Sequence, residues 1–555
     1  MEKRLVAFII ISLLIIFLYP FFISKMTGKA PNTPIPPSQE IAKEAPIAPS
    51  LESRELLKDS EEAEAPLVSE NQETPDLPGR VSNPDAPEIL KIVESDLFRV
   101  TLSSHGGVIK KWELKKYTEK NEESGKEEAI ELVPVETTQF PLALTLPGES
   151  SWVYELDEHP LQLNQGTPKG SVTMRYVAPD GKTVKKELRF SNETYLAELM
   201  VSTEGFNQAY DLSLGVNFGI HDWGEQFGIT AGSVSLTDNE VLRNIPGKME
   251  TASLSYSGST KWFGLEDKYF ISALIPRDES GLGPIVVKKE GEKEILTRIR
   301  LEADSGLSTH HFSMYVGPKE YDRLNALKVN LDESIDFGRF IFGSFLPVRM
   351  IAKPLFYLLR FFYQFTHNYG IAIILITVLI KAAFFPITQK SMKSMKSMSS
   401  IQPKVAAIRK QWAKDKEKMN TELMKLYKTE KVNPLGGCLP IFVQIPVFIA
   451  LYNILGTTIE LRQAPFFLWV VDLSVKDPYY VLPIIMGATM FLQQYTAPKT
   501  MDATQAKIMM FLPGVYTFFF LNFPSGLVLY WLVNNTLTIL QQYLMNKETG
   551  KEALA

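Results

Sequence analysis

Lys381 is a charged residue inside an apolar stretch, ILITVLIKAAFFPIT at residues 374–388. A lysine inside a membrane helix costs a few kcal/mol on insertion scales, so such a residue is a candidate for function. Thr377 lies four positions earlier and therefore shares its helix face. The charge could attract acidic or polar groups within the membrane. Alternatively, because Lys381 is close to Pro386, its long stem could carry the ammonium to the lipid headgroups without any further role.

Polar side chains also recur at helical spacing in other apolar stretches. Gln444 lies in one of them, and the last stretch carries a stripe formed by Tyr530, Asn534, Thr538 and Gln541. Because polar groups that face lipid are costly, we expect these side chains to face one another or a water-filled cavity. Ordinary hydrogen bonding between helices would also explain several of them.

The sequence contains only weak patterns for a catalytic or a metal-binding site. Ser525 could pair with Lys381 as nucleophile and base, but the topology predicted below puts them near opposite sides of the membrane, beyond hydrogen-bond reach. His310 and His311 are adjacent in a predicted strand and so point to opposite faces. The single cysteine, Cys438, excludes an intrachain disulfide. We therefore predict neither an enzyme nor a metal site.

The segments that must position these residues differ sharply in composition. Residues 5–23 are almost continuously apolar and follow two basic residues, which predicts an uncleaved signal anchor over 1–26. Residues 27–90 are rich in Pro, Glu, Ser and Ala and have almost no aromatic residues. Such a composition cannot bury enough apolar surface to fold, so a disordered linker is predicted there.

Period-two alternation dominates the next segment. Asp180-Gly181 and Gly291 each separate two alternating runs, which is the pattern of a β-hairpin. Many such runs with few helical stretches predict a large antiparallel β-sandwich over 91–335, closed by a short helix near 319–329.

The chain after residue 335 is predicted to form a helical membrane core. An amphipathic, aromatic segment over 336–369 suits the membrane interface. A five-span core, residues 370–546, follows, with a short tail over 547–555. Together with the N-terminal anchor this makes six transmembrane helices. Several spans are near or below the length needed to cross a normal hydrocarbon layer. The five core spans are predicted at about 370–386, 439–457, 479–495, 508–523 and 526–544.

Orientation follows from the loop over 387–433, which contains 12 basic and 4 acidic residues. The positive-inside rule makes this loop cytoplasmic. Six spans then place both termini in the cytoplasm and the β-sandwich outside. The loop contains two helical stretches with a break near Lys414-Asp415, so it is predicted to form a helical hairpin.

The hairpin carries a second group of candidate contact residues. Flexible methionines suit varied apolar partners, and basic residues suit anionic lipid or RNA. The alternative is a solvated hairpin whose charges only fix topology. The candidates are Met392, Met395, Met398, Lys404, Arg409 and Lys410.

Three long motifs carry a specific resemblance. They are KVNPLGGCLPIFVQIPVFIALYN, LRQAPFFLWVVDLSVKDPYYVLPIIMGATMF and NFPSGLVLYWLVNN. In this order they resemble the YidC-type membrane-protein insertases of Gram-negative bacteria. The likeness extends to the whole arrangement of anchor, linker, β-domain and five-span core.

The resemblance implies a protein that inserts and folds nascent inner-membrane proteins, alone or with the Sec translocon, without a cofactor or ATP. It also implies a hydrophilic groove open to the cytoplasm and to membrane lipid. Lys381 matches the family's basic groove residue, which is usually arginine, and the loss of arginine's planar fork argues against a specific bidentate ion pair. The other matching groove positions are Thr377, Gln444, Tyr530 and Asn534. Ribosome contact is expected through the hairpin, because the tail KETGKEALA is short. A transporter or channel is the alternative function, although we find no inverted repeat of the kind that usually marks one.

Overall fold

Strands dominate the described chain before about residue 320, and helices dominate after it. The predicted anchor and most of the predicted linker lie outside the described residues. The computed structural model describes residues 82–83, 85–120, 125–146, 152–221, 223, 231–278, 280–304, 306–340, 343–344, 346–433, 436, 439–498 and 503–552.

The β-domain is built from alternating runs of the kind that the sequence predicts. Two further strands lie just before the first long helix. The strands are β1 (Leu90–Glu94), β2 (Phe98–Ser103), β3 (Val108–Lys120), β4 (Glu127–Glu131), β5 (Leu144–Thr145), β6 (Leu161–Gln162), β7 (Lys169–Val177), β8 (Thr183–Ser191), β9 (Leu196–Glu204), β10 (Tyr210–Val216), β11 (Gly232–Thr237), β12 (Glu240–Asn244), β13 (Ser253–Tyr256), β14 (Thr260–Glu266), β15 (Phe270–Pro276), β16 (Leu282–Lys289), β17 (Ile295–Leu301), β18 (Leu307–Pro318), β19 (Arg339–Phe340) and β20 (Gly343–Ser344).

These strands form three large sheets and one small one. The orders are β4-β3-β2-β1-β6, β13-β16-β17-β10-β5, β12-β11-β14-β15-β18-β9-β8-β7 and β19-β20. Both predicted hairpins are confirmed, since β7 pairs with β8 and β16 pairs with β17 in antiparallel register. The prediction of an antiparallel domain has one exception, because β1 pairs with β6 in parallel.

Burial along the strands shows where the core lies. Alternate residues of β8 and β9 are buried, as in a sheet with one wet face. Every residue of β11 and nearly every residue of β15 is buried, which requires cover on both faces. The middle of the eight-stranded sheet is therefore enclosed by other parts of the domain, and the domain is thicker than a simple two-layer sandwich.

The β-domain begins before residue 91, where the sequence prediction ends the linker. The Ser82 amide donates to the Val177 carbonyl at 2.9 Å, and the Ile89 amide donates to the Ser104 hydroxyl at 2.8 Å. These bonds attach the described residues between 82 and 90 to β7 and to the residue after β2, which belong to different sheets. Composition did not show this attachment because it uses backbone and hydroxyl groups, which leave no apolar pattern.

Nine α-helices are described after β18. They are α1 (Tyr321–Ala326), α2 (Leu346–Thr366), α3 (Tyr369–Ser400), α4 (Gln402–Gln411), α5 (Lys416–Thr429), α6 (Leu439–Thr457), α7 (Val481–Thr496), α8 (Ala503–Phe520) and α9 (Ser525–Glu552).

Helices α3 and α6 to α9 overlap the five predicted core spans. Among the described helices, α3 alone has both the length and the hydropathy expected of a spanning helix, and two shorter apolar stretches occupy Phe442–Thr457 and Met509–Phe520. This agrees with the expectation that several spans are short. Helix α3 also runs beyond the predicted span end at 386 and continues to Ser400.

Helix α2 lies within the segment 336–369 that the sequence assigns to the membrane interface, and it passes through Pro354. One face is buried through residues such as Phe356 and Leu359, and it packs against α3 and α6. The opposite face exposes apolar side chains such as Phe361 and Phe365. A helix with apolar groups on both faces suits a position between protein and lipid.

Several contacts join the β-domain to the helices. Arg360 of α2 makes a bidentate pair with Asp322 of α1, with 2.8 Å between Nη1 and Oδ1. Farther along, Asn453 of α6 donates to the Phe337 carbonyl at 3.0 Å. Arg462 donates to the Thr118 carbonyl at the end of β3. The two parts therefore meet through specific polar contacts.

Candidate functional site: a polar seam between membrane helices

The central contact of the site joins α3 to α9. Lys381 Nζ lies 2.8 Å from Thr538 Oγ1, and the Thr538 hydroxyl donates in turn to the Asn534 carbonyl at 2.7 Å. No carboxylate faces Lys381 within ion-pair distance among the residues that the structure describes. The ammonium is thus held by a neutral hydroxyl, which leaves its positive charge uncompensated.

Two further pairs extend this contact. Gln541 of α9 donates to the Thr388 hydroxyl of α3 at 3.0 Å, and Gln444 of α6 donates to the Tyr530 hydroxyl of α9. We call the three pairs Lys381–Thr538, Thr388–Gln541 and Gln444–Tyr530 the polar seam. Their partners come from three helices, so polar groups of different spans face one another, as the spacing in the sequence predicts.

The predicted groove residues differ in how accessible they are. Lys381, Gln444 and Asn534 are half-buried, whereas Tyr530 is fully buried. Thr377 is also buried, and its hydroxyl donates to the Ile373 carbonyl of its own helix at 2.6 Å. Thr377 therefore packs inside the helix bundle in this structure, and its part in a client-binding groove stays a prediction.

A second polar face of α9 is absent from the sequence predictions. Asn535 donates to the Thr489 hydroxyl of α7 at 3.3 Å, and Thr496 of α7 donates to Gln542 at 2.9 Å. Asn535 and Gln542 are seven residues apart and so lie on one helix face. That spacing was visible in the sequence, but the neighbouring stripe through Tyr530 drew the attention.

The Ser–Lys hydrolase pair does not form. The Ser525 hydroxyl donates to the Val475 carbonyl at 2.8 Å, at the first residue of α9. Lys381 contacts Thr538, which is farther along α9 by roughly 20 Å at 1.5 Å per residue. A base at that distance cannot activate the serine.

Ser525 instead ties two turns together at one end of the bundle. Its amide also donates to the Val475 carbonyl at 2.7 Å, and the Gly526 amide donates to the Leu473 carbonyl at 2.9 Å. The turn before α9 is thereby fastened to the turn before α7. These hydrogen bonds join the two turns at this end of the bundle, and the seam lies away from it.

The hairpin over 387–433 has a small core of its own. Ile401, Val405 and Leu423 are buried against one another between α4 and α5. The predicted break near Lys414-Asp415 falls between these helices, where the Asp415 carboxylate accepts from the Lys418 amide at 3.0 Å and caps α5. The hairpin is therefore a folded unit.

The methionine group is only partly available for contact. Met392 is buried, which corrects the expectation that it faces a client, and Met398 packs against the hairpin core. Met395 is half-buried. The basic candidates are more accessible: Lys404 and Lys410 are exposed and Arg409 is half-buried, while Lys404 pairs with Glu430 at 2.5 Å.

Two serines attach the hairpin to the core. Ser391 donates to the Gly436 carbonyl at 2.6 Å, and Ser394 donates to the Asn433 carbonyl at 3.2 Å. Both serines lie on the part of α3 that continues past the predicted span. This attachment leaves no pattern in the sequence, because its acceptors are backbone carbonyls.

The fold and the seam define a class of protein: a helical membrane core with polar groups between its spans, joined to a large β-domain. Comparison with known proteins narrows that class. Residues 92–358 match the family described as the YidC periplasmic domain, and residues 361–552 match the 60Kd inner membrane protein family.

Individual relatives agree. The chain is 38% identical over 562 residues to the membrane protein insertase YidC of Geotalea uraniireducens, covering 99% of each chain. It is 36% identical over 575 residues to that of Syntrophus aciditrophicus, covering 99% of this chain and 100% of the relative. A solved structure of an active YidC insertase shares 18% identity, with a TM-score of 0.37, over 82% of this chain and 94% of that one. The chain belongs to the YidC family of membrane protein insertases, an inner-membrane family with a periplasmic domain.

Proposed function

We propose that this chain inserts and folds inner-membrane proteins by offering their polar segments a positively charged path part of the way across the bilayer. Both termini lie in the cytoplasm and the β-domain lies in the periplasm. The proposed client path runs along the seam between α3, α6 and α9. No catalytic step and no cofactor is needed, because the work is to lower the cost of moving polar groups through lipid.

The observation that carries this proposal is the bond between Lys381 and Thr538. A lysine that only snorkels would extend along its helix to the headgroups. Lys381 reaches sideways to a neighbouring span, and it has a hydroxyl as its partner. A charge held in this way can attract an acidic or polar client segment without first breaking an ion pair.

The depth of Lys381 supports the same view. It lies twelve residues into α3, which begins at Tyr369, so it is roughly 18 Å from the periplasmic end of that helix at 1.5 Å per residue. In a hydrocarbon layer of about 30 Å, this places the charge in the cytoplasmic half. A client entering from the cytoplasm would meet the charge before the apolar, closed periplasmic end.

The attraction must remain weak. An exposed or half-exposed charge pair contributes about 1 kcal/mol or less. Such a pair can hold a client segment briefly and release it, whereas a buried bidentate pair would trap it. Lysine at this position, in place of the family's usual arginine, suits transient contact because its ammonium has no rigid fork.

The hairpin is proposed to receive clients and ribosomes. Its exposed lysines suit an anionic surface such as ribosomal RNA, and its attachment through Ser391 and Ser394 holds it at the cytoplasmic end of α3. Cooperation with the Sec translocon is part of the same proposal and rests on the family resemblance. The transporter alternative gains no support from the comparisons, since the relatives are named as insertases.

Site-specific photocrosslinking to a nascent inner-membrane protein tests the client path. A photoreactive residue replaces either Asn534 or Thr536. Asn534 is half-buried beside the seam, whereas Thr536, two residues farther on, is exposed on another face of the same helix. The two positions share a depth, so Thr536 is a matched control. We expect client adducts from Asn534 in clear excess. Equal adducts from both positions, or none from Asn534, would contradict the proposed path.

A further inference from the structure

The loop between α6 and α7 carries an exposed apolar tip. Residues 464–471 read APFFLWVV and contain no charged residue. Leu468 is 86% exposed, and Phe467 and Val471 are also exposed. A contiguous apolar patch of this kind on a soluble surface marks contact with a protein or a membrane. We call residues 464–471 the loop tip.

The backbone of the loop tip is hydrogen-bonded within the protein. The Phe466 amide donates to the Val470 carbonyl at 2.9 Å, and the Leu473 amide donates to the Ala464 carbonyl at 3.1 Å. Non-helical backbone at membrane depth is tolerated only when its polar groups are satisfied in this way. Leu468 also adopts a positive φ of 55°, a conformation that favours Gly or Asn. An apolar side chain stands at the apex although a polar one would suit the backbone better.

Contacts with α3 fix the depth of the loop tip. Phe466 packs so closely on Gly370 that a Cβ there would lie 2.0 Å from a Phe466 ring atom. Asn368, the residue before α3, donates to the Phe466 carbonyl at 3.1 Å. Gly370 is the second residue of the spanning helix. The loop tip is therefore level with the first turn of α3, where the helix enters the membrane.

The start of α7 also exposes large side chains. Tyr479, just before this helix, and Ile484 within it are both exposed. Helix α7 has 16 residues and so is roughly 24 Å long, short of a hydrocarbon layer of about 30 Å. An apolar segment at its end would extend the protein's apolar surface toward the full thickness.

The nearest charged residues are Arg462 before the loop tip and Asp472 after it, and each makes polar contacts within the protein. Arg462 donates to the Thr118 carbonyl and lies over the Trp223 ring, 5.2 Å from its centroid. Asp472 accepts from the amide and hydroxyl of Ser474, both at 2.7 Å. An apolar apex with charges at its base is the distribution expected of a segment at the boundary of a bilayer.

We propose that the loop tip is immersed in the periplasmic leaflet, with Phe467, Leu468 and Val471 among the phospholipid acyl chains. It anchors the periplasmic end of the short helix α7 and lengthens the apolar surface there toward the full thickness of the hydrocarbon layer. This proposal uses the orientation given above but does not depend on insertase activity.

Fluorescence quenching in phospholipid vesicles tests the proposal. Cys438→Ser removes the single native thiol, and Leu468→Cys then carries an environment-sensitive fluorophore. Leu307→Cys is the matched control, since Leu307 is also an exposed leucine, at 71%. It lies at the far end of β18 from the helices, roughly 35–40 Å along the extended strand. Quenchers are a nitroxide on the upper acyl chain and, separately, aqueous iodide.

We expect the acyl-chain nitroxide to quench the Leu468 label several-fold more strongly than the Leu307 label, and iodide to show the reverse order. A Val471→Cys label reports on the same segment if Leu468→Cys does not fold. Quenching of both loop-tip labels by iodide, with none from the nitroxide, would overturn the proposal and would indicate a surface for water or a soluble partner. No client protein is present, so failure here is distinct from failure of the insertase function.

Discussion

At the scale of single residues, the proposed function depends on what Lys381 contacts. Spacing in the sequence predicted that it would share a polar environment with the stripe on the last span, and the bond to Thr538 agrees with this. Thr388 was missed because it lies past Pro386, where the predicted span ends, whereas the helix continues. Thr377 shares the helix face of Lys381, but being one turn deeper it is covered by neighbouring helices. Periodicity in the sequence predicts which face of a helix a residue lies on, but it does not predict whether neighbouring helices bury that turn.

Glu460 is a half-buried acid that no sequence pattern indicated. It lies in the short 3-10 helix Ile459–Leu461, outside the spans, where the β-domain meets the core. Burial, together with repulsion from the Glu320 carboxylate, raises the pKa of Glu460 to about 7, although Arg360 and the Tyr321 amide oppose the rise. Tyr369 is the other titratable group that faces it.

We predict that the junction between the β-domain and the core loses stability as pH rises through 7. In the folded protein Glu460 keeps its proton up to about pH 7, whereas a glutamate in an unfolded chain loses it near 4.5. The folded state therefore binds more protons between these values, and its stability falls with rising pH across that window. Hydrogen exchange of α1 and α2, corrected for intrinsic rates, measures the effect.

Glu460→Gln should remove this pH dependence, because the amide does not titrate. Glu158→Gln is the control, since Glu158 is exposed on the β-domain. An unchanged pH profile in Glu460→Gln would show that another group controls the junction.

At the scale of secondary-structure elements, the hairpin shows where pattern succeeds and fails. Its two helices and the break between them follow from charge and apolar spacing. The three methionines do not share one face of α3. A three-residue step turns a helix by about 300°, so each methionine lags its predecessor by about 60°. Over two steps the group winds about 120° around α3. Met392 accordingly faces the protein, while Met395 and Met398 are only half-buried.

We predict that the hairpin is required for insertion and is separable from the fold of the core. Replacing residues 402–429 by a short Gly-Ser linker removes α4 and α5 but keeps the bonds made by Ser391 and Ser394. Insertion of client proteins should be lost while the membrane helices keep their thermal stability. Normal insertion by this variant would contradict the prediction and would indicate that the charges of the hairpin only fix the topology.

A charge-only variant separates the two roles of the hairpin. Exchanging its exposed lysines, including Lys404 and Lys410, for glutamine should lower ribosome association most at low salt, since exposed charges are screened beyond about 8 Å at physiological ionic strength. Co-sedimentation with ribosomes over a salt series provides the measurement. Binding that is insensitive to both the exchange and the salt would contradict an electrostatic contact.

At the scale of the whole molecule, the structure separates a β-domain from a helical core and shows how they meet. The sequence predicted both parts from their periodicity, which switches from two to helical spacing. It did not predict the contacts between them, such as Arg360 with Asp322 and Arg462 with Thr118, because single long-range polar pairs leave no local pattern.

We predict that most of the β-domain is dispensable for insertion. The client path proposed above lies wholly in the helices. Deleting residues 91–315 removes the three large sheets but keeps α1, whose Asp322 pairs with Arg360 of α2. Growth of a strain depleted of its own insertase should be nearly normal with this variant. Loss of growth, with the core present at normal levels, would overturn the prediction.

The junction should tolerate less change than the sheets. Asp322→Ala leaves Arg360 without its bidentate partner, and α2 packs directly on α3 and α6. We expect this variant to lower insertion more than an exposed β-domain substitution such as Glu158→Ala, when both are compared in the full-length chain.

The most direct test of the proposed function compares two clients that differ only in the acidic residues of the translocated segment, with Asp and Glu replaced by Asn and Gln in one of them. A charge attraction of about 1 kcal/mol corresponds to roughly a fivefold preference. We predict that the chain and its Lys381→Arg variant insert the acidic client efficiently, and that Lys381→Ala, and still more Lys381→Glu, impair it several-fold while affecting the amide client less. Equal insertion of the acidic client by the unaltered chain and by Lys381→Ala would contradict the role assigned to Lys381.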